Sequence, residues 1–264
     1  MERLHSNDAE IVYEIRGDGP PVVLLHPFPS DHEFWHPITA ALESRYRLIL
    51  PDLRGHGDSG AGEGPALMQK HADDIARVLD AAAIGKAAFI GCSIGGYILF
   101  EFWRRFRPRM TSLVICDSRP QPDTAEARAN RLQAAATVLE QGTEPFLEAM
   151  IPKLMGRTTL TTRPDLVAGA RAMMRKMSAE DISQVQQGMA ERPDSVADLK
   201  TINVPTLIVI GEEDILSTPA DGELMRQNIS GSQLKVISKA GHYAPWEQPQ
   251  AVGPILRQFL DALM

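Results

Sequence analysis

Runs of uninterrupted apolar residues, with helical periods between them, limit this chain more than any other feature. They are "PVVLLHP" at 21–27, "YRLILPDLRG" at 46–55, "KAAFIGC" at 86–92, "SLVICDS" at 112–118 and "TLIVIGEED" at 206–214. None alternates in polarity along its apolar stretch, so none reads as a strand with one face in water. Strands of this kind lie in a sheet covered on both sides. "IVYEIRG" at 11–17 does alternate, as a half-exposed strand does, and Asp18-Gly19-Pro20 supplies the turn after it. "QLKVISKAGH" at 233–242 is the last strand candidate.

The intervening segments carry a helical period. "DHEFWHPITAALESR" at 31–45 spaces Phe34, Ile38 and Leu42 four residues apart. The stretch 65–85 puts Leu67, His71, Ile75 and Leu79 on one face, with Pro65 in a first turn, where its missing N–H costs little. Further helices are expected from Ile94 to about Arg107, stopping before Pro108, and over 249–263. Strands alternating with helices predict an α/β fold built on a mostly parallel sheet. The alternation breaks between Arg119 and Lys200, where no β-rich run occurs. Short helices are expected there, punctuated by Pro145, Pro152, Pro164 and Pro193. Six of the eleven methionines also lie there: Met150, Met155, Met173, Met174, Met177 and Met189. Methionine fills irregular apolar space, so this segment either roofs the sheet or adds to its core.

Charge and cysteine content exclude several classes of function. A net charge of −7 with no basic cluster argues against nucleic acid and against an anionic membrane surface, both of which need concentrated Lys and Arg. Cys92 and Cys116 are the only cysteines, too few for a disulfide framework, so a reducing compartment is expected. No apolar run has signal-peptide or membrane-span length, and the expectation is a soluble cytoplasmic protein, monomeric or homodimeric. His5, His32, His36 and His71 are read as lacking a pairing at metal-ligand spacing, so no metal and no cofactor is expected.

In an open parallel sheet, ligands bind beyond the carboxyl ends of the strands. Ser93, Asp214, His242 and His26 each follow such an end, and so does Asp117. A serine hydroxyl becomes a nucleophile when a histidine takes its proton, and the histidine needs a carboxylate to fix its tautomer. Ser93 sits inside Gly91-Cys92-Ser93-Ile94-Gly95, a strand–turn–helix passage with glycine on both sides of one hydroxyl.

Over essentially its whole length the sequence resembles the α/β-hydrolase family. Gly91-Cys92-Ser93-Ile94-Gly95 matches its G-x-S-x-G nucleophile elbow, and the order Ser, Asp, His matches its triad. "HPFPSD" at 26–31 resembles its oxyanion loop, "PDLRGHGDS" at 51–59 the loop after the next strand, and "GHYAPWEQP" at 241–249 its histidine loop. The resemblance implies a core of residues 1–118 and 201–264, with 119–200 as a helical lid. It implies Ser93 as nucleophile, His242 as base and Asp214 as acid, the last by its spacing from Gly211. Asp117 stands as the alternative acid. Ile94 and Phe28 are implied as backbone donors to the oxyanion, with Pro27 where the family commonly has glycine. His26, His56, Arg54 and Asp58 are expected to brace loops. Serine at the elbow, in place of the aspartate of dehalogenases and epoxide hydrolases, implies acyl transfer from a small ester substrate or a lactone. An enol-lactonase type would need an arginine such as Arg128, Arg131, Arg157 or Arg171 facing inward. A hydrolase-like small-molecule receptor is the reading from another class.

Overall fold

The computed structural model describes residues 1–264. Its single sheet has eight strands: β1 (Glu2–Ser6), β2 (Ala9–Arg16), β3 (Pro21–Leu25), β4 (Arg47–Pro51), β5 (Ala87–Cys92), β6 (Met110–Cys116), β7 (Thr206–Gly211) and β8 (Gln233–Ile237). Their spatial order is β1-β2-β4-β3-β5-β6-β7-β8. β1 and β2 are antiparallel to their neighbours, and the remaining pairings are parallel. The five uninterrupted apolar runs are thus the central strands, and β5 and β7 are buried along their whole length. β1 was not legible in advance because "ERLHS" is mostly exposed and has no apolar pattern. It exists because β2 offers it a hydrogen-bonding edge.

Helices α1 (His36–Leu42), α2 (Met68–Ala81), α3 (Ile94–Phe106) and α11 (Pro249–Asp261) flank the sheet. Phe34, Ile38 and Leu42 are fully buried as expected, although a 3-10 turn (His32–Trp35) supplies the first of them. α2 starts at Met68, three residues after Pro65. The tertiary structure decides this: the Ala66 N–H donates to the Gln184 carbonyl at 3.0 Å, and the Leu67 N–H turns back to the Pro65 carbonyl at 2.9 Å, so the chain here is a tight turn before the helix.

Between β6 and β7 lie α4 (Ala125–Gln141), α5 (Thr143–Leu154), α6 (Arg157–Thr162), α7 (Pro164–Met174) and α8 (Ala179–Ala190). α9 (Pro219–Asn228) joins β7 to β8, and α10 (Ala244–Glu247) precedes α11. Pro145 and Pro164 sit in first turns, whereas Pro152 lies inside α5, near its end. Met155, Met173, Met174, Met177 and Met189 are buried and belong to one continuous apolar core with the sheet. No helix is long and apolar enough to cross a membrane.

Candidate active site

Ser93 is the one residue between the end of β5 and the start of α3, and its backbone has φ 54° and ψ −113°. A non-glycine residue held there carries roughly 1–3 kcal/mol of strain. Its surroundings over-determine that conformation: the Ser93 N–H donates to the Cys116 carbonyl (3.0 Å), and Ser118 Oγ donates to the Ser93 carbonyl (2.8 Å). The flanking glycines are needed for space and not for unusual dihedrals. Neither Gly91 nor Gly95 has a positive φ. A Cβ on Gly91 would fall 2.6 Å from the Gly95 carbonyl carbon, and one on Gly95 would fall 2.5 Å from the Leu25 carbonyl oxygen. Backbone meets backbone at both places, so α3 can sit this close to β3 and β5 only without side chains there.

His242 bridges the two other candidates. Its Nε2 lies 2.7 Å from Ser93 Oγ and its Nδ1 2.8 Å from Asp214 Oδ2. The other Asp214 oxygen accepts from the Leu216 and Ser217 N–H groups, at 2.7 and 3.0 Å. All three residues are buried. With Asp214 accepting, Nδ1 carries the proton, and the Nε2 lone pair faces the hydroxyl. Asp117 makes no hydrogen bond to the His242 ring. Its carboxylate accepts from the Gly211 N–H (2.7 Å) and the Ala244 N–H (3.1 Å), which ties the end of β7 to the loop that carries His242. Burial, with Asp214 nearby, pushes its pKa well up.

Two backbone donors face no partner. Neither the Phe28 N–H nor the Ile94 N–H has an acceptor within the protein, and Ile94 opens a helix, where such free donors are expected. His26 and His56 brace loops, as expected. His26 Nε2 accepts from the Leu53 N–H (2.9 Å), and His56 Nδ1 lies 3.0 Å from the Arg54 carbonyl. Arg54 is fully buried, with two bonds to Asp74 (2.9 and 2.7 Å) and one to Asp8 (2.7 Å). The brace expected of Asp58 belongs to Asp52, whose carboxylate receives the N–H groups of Asp58 and His32 at 2.9 Å each.

A cavity of about 340 Å³ opens onto Ser93 and His242. Phe28, Tyr97, Met150 and Met189 form apolar wall, so two of the six methionines face it while the others pack elsewhere. Of the four arginines considered, Arg131 lines this cavity, whereas Arg128, Arg157 and Arg171 pair with Glu191, Glu213 and Glu148. Arg119 and Lys153, which no local pattern marked, line it too. The one acidic side chain in the wall, Asp123, is shared by Arg131 (2.6 Å), Arg192 (2.7 Å) and Arg119 (3.4 Å). Burial alone would raise its pKa, but Arg131 and Arg192 hold it below the usual value. Arg119 Nε is buried without an acceptor.

Two glutamates that sequence reasoning passed over tie the 119–200 segment to these loops. Glu247 accepts from the Gly156 and Gly241 N–H groups, each at 2.8 Å, and Glu213 accepts from the Thr158 N–H (2.8 Å) and hydroxyl (2.6 Å). Their partners are far away in sequence, so no local signal could reveal them.

One expectation needs correcting. His32 and His36, expected to lack a pairing at metal-ligand spacing, come together with Glu14 in the structure, one ligand atom from each lying within 4.8 Å of the others. The spacing was present in "HEFWH", two imidazoles four residues apart at the start of a helical segment.

Residues 20–249 match the family model of the alpha/beta hydrolase fold, and the chain belongs to that family. Within it, the chain is 30% identical to 3-oxoadipate enol-lactonase 1 of Acinetobacter baylyi over 255 residues, 93% of this chain and 90% of that one. Among solved structures it is similar to a thermophilic esterase from Thermogutta terrifontis with malate bound. That match has 36% identity and a TM-score of 0.96 over 100% of this chain and 99% of the other. It is also similar to the enol-lactonase of Burkholderia xenovorans, with 25% identity and a TM-score of 0.92 over 98% and 100% of the two chains.

Proposed function

We propose that this hydrolase cleaves a carboxylic ester or lactone through an acyl-enzyme on Ser93. The placement of His242 between Ser93 Oγ and Asp214 is the observation that carries this reading. Ser93 Oγ attacks the substrate carbonyl while His242 Nε2 takes its proton. Asp214 keeps the proton of Nδ1 in place and stabilises the imidazolium that forms. The Phe28 and Ile94 N–H groups receive the charge developing on the carbonyl oxygen, a contribution of about 3 kcal/mol per donor in enzymes of this type. His242 then gives its proton to the leaving oxygen, and a water activated by the same imidazole releases the acid. The helices of 119–200 act as a lid, supplying most of the cavity wall beyond Ser93. In Ser93→Ala no acyl-enzyme can form, so ester hydrolysis falls at least about a thousandfold with the fold retained. A fluorophosphonate should add one adduct to the native protein and none to the variant. An adduct that persists in the variant moves the nucleophile elsewhere.

Arg119, Arg131 and Lys153 favour a second, narrower reading, a substrate that carries its own carboxylate. The wall holds three cations against one carboxylate, Asp123. An anionic group on the substrate can therefore be met by charge-assisted bonds. The enol-lactonase relative and the malate-bound esterase agree with this. Turnover separates both readings from a receptor: a hydrolase releases product many times per second, while a receptor stalls.

A further inference from the structure

Glu14, His32 and His36 form a cluster that lines no part of the cavity above Ser93. Three elements supply it: β2 gives Glu14, the 3-10 turn gives His32, and the first position of α1 gives His36. His36 Nε2 lies 2.9 Å from Glu14 Oε2, and the two imidazole rings are 5.5 Å apart at 70°. His32 Nδ1 lies 2.7 Å from Asp52 Oδ1, and Asp52 also receives the His32 N–H. Donating Nδ1–H to a buried carboxylate leaves the Nε2 lone pair of His32 free. It also fixes the ring and raises its basicity, as carboxylates behind metal-bound imidazoles do.

We propose that Glu14, His32 and His36 bind a divalent transition metal of the zinc class, with Asp52 as the carboxylate behind His32. Two imidazoles and one carboxylate suit zinc, nickel or copper better than calcium or magnesium, which prefer oxygen alone. The side chains are 12 to 34% exposed, so water completes the coordination. Arg16 borders the cluster, with Nη2 3.3 Å from His36 Nε2 and Nε 2.9 Å from Glu14 Oε1. Its guanidinium competes with the metal for both groups, so the ion must displace it and affinity is held down. Because His32 directly follows Asp31, which ends the "HPFPSD" loop, a bound ion pins that loop where it turns into α1.

Zinc binding to the purified full chain by titration calorimetry, with copper EPR on the same samples, tests this. The expected result is one site per chain with nitrogen hyperfine structure from two imidazoles. His36→Gln and Glu14→Gln should each weaken binding at least about tenfold, given that the ligand set is only three. Arg16→Ala should tighten it, and Ser93→Ala should leave it unchanged. Thermal unfolding without metal establishes that each variant is folded. Absence of stoichiometric binding overturns the proposal. So does binding that survives both ligand substitutions in folded protein, since the ion would then sit elsewhere, for example on His242.

Discussion

Asp214 and Asp117 follow neighbouring strands, and exchanging each for asparagine separates their roles. In Asp214→Asn the amide oxygen can keep the Leu216 and Ser217 N–H groups, at 2.7 and 3.0 Å in the parent. The NH2 group then faces His242 Nδ1, where the carboxylate oxygen stood at 2.8 Å. Two donors cannot share that contact, so the imidazole moves its proton to Nε2. That nitrogen, 2.7 Å from Ser93 Oγ, can no longer accept the serine proton. The same wrong-tautomer substitution in a serine protease lowers kcat by about ten-thousandfold, or about 5.4 kcal/mol of transition-state stabilisation. In Asp117→Asn the hydrogen bonds of His242 to Ser93 and Asp214 are untouched. One of the two buried N–H groups, Gly211 or Ala244, loses its acceptor, at a cost of about 1–3 kcal/mol in stability. The φ of 44° at position 117 is one that asparagine tolerates. The assay is kcat/KM on p-nitrophenyl acetate, with urea unfolding alongside. The expected pattern is a loss of about four decades with little change in stability for Asp214→Asn, and the reverse for Asp117→Asn. An Asp214→Asn enzyme within tenfold of the parent, or an Asp117→Asn enzyme that is folded and inert, would refute this.

Arg131→Met should raise KM for carboxylate-bearing esters or lactones by about ten- to a hundredfold, the value of one lost charge-assisted bond. Neutral esters serve as the comparison, and an equal loss on both means that Arg131 only braces Asp123. Burial lowers the pKa of His26 to about 3 and, with the same cause, that of His56 to about 4. The unfolded chain therefore binds protons below about pH 6.5 that the native state refuses. Stability is fully present above that pH and declines as pH falls toward 4, by up to about 1.4 kcal/mol per pH unit for each histidine. Urea midpoints at pH 7 and pH 5 measure this, and a rise on acidification contradicts it. In Gly188→Ala the new Cβ meets the Ala66 carbonyl oxygen at 1.9 Å, so α8 and the start of α2 must part. A loss of about 1–3 kcal/mol is expected by thermal or chemical unfolding, and an unchanged midpoint would show that the two segments separate freely.

Much of this protein could be read from local order along the chain. The apolar runs became the central strands because a strand buried on both faces must be apolar at every position, which leaves a plain mark in sequence. That Ser93, Asp214 and His242 come together was legible for a related reason: each follows a strand, and parallel strands bring their carboxyl ends to one rim. The choice between Asp214 and Asp117 was different, because both follow such strands. In the tertiary structure the carboxylate of Asp117 takes two backbone N–H groups, while that of Asp214 faces His242. Glu213, Glu247, Arg119 and Lys153 were beyond sequence reasoning because their partners or their cavity belong to segments far along the chain. β1 was missed since its stability comes from an edge that β2 provides and not from its own residues. The glycines beside Ser93 announced a tight turn in sequence, but the packing of α3 against β3 and β5 explains why no side chain can replace their hydrogens. Order along the chain records what each segment must bury, while the distances across the fold decide which polar groups meet.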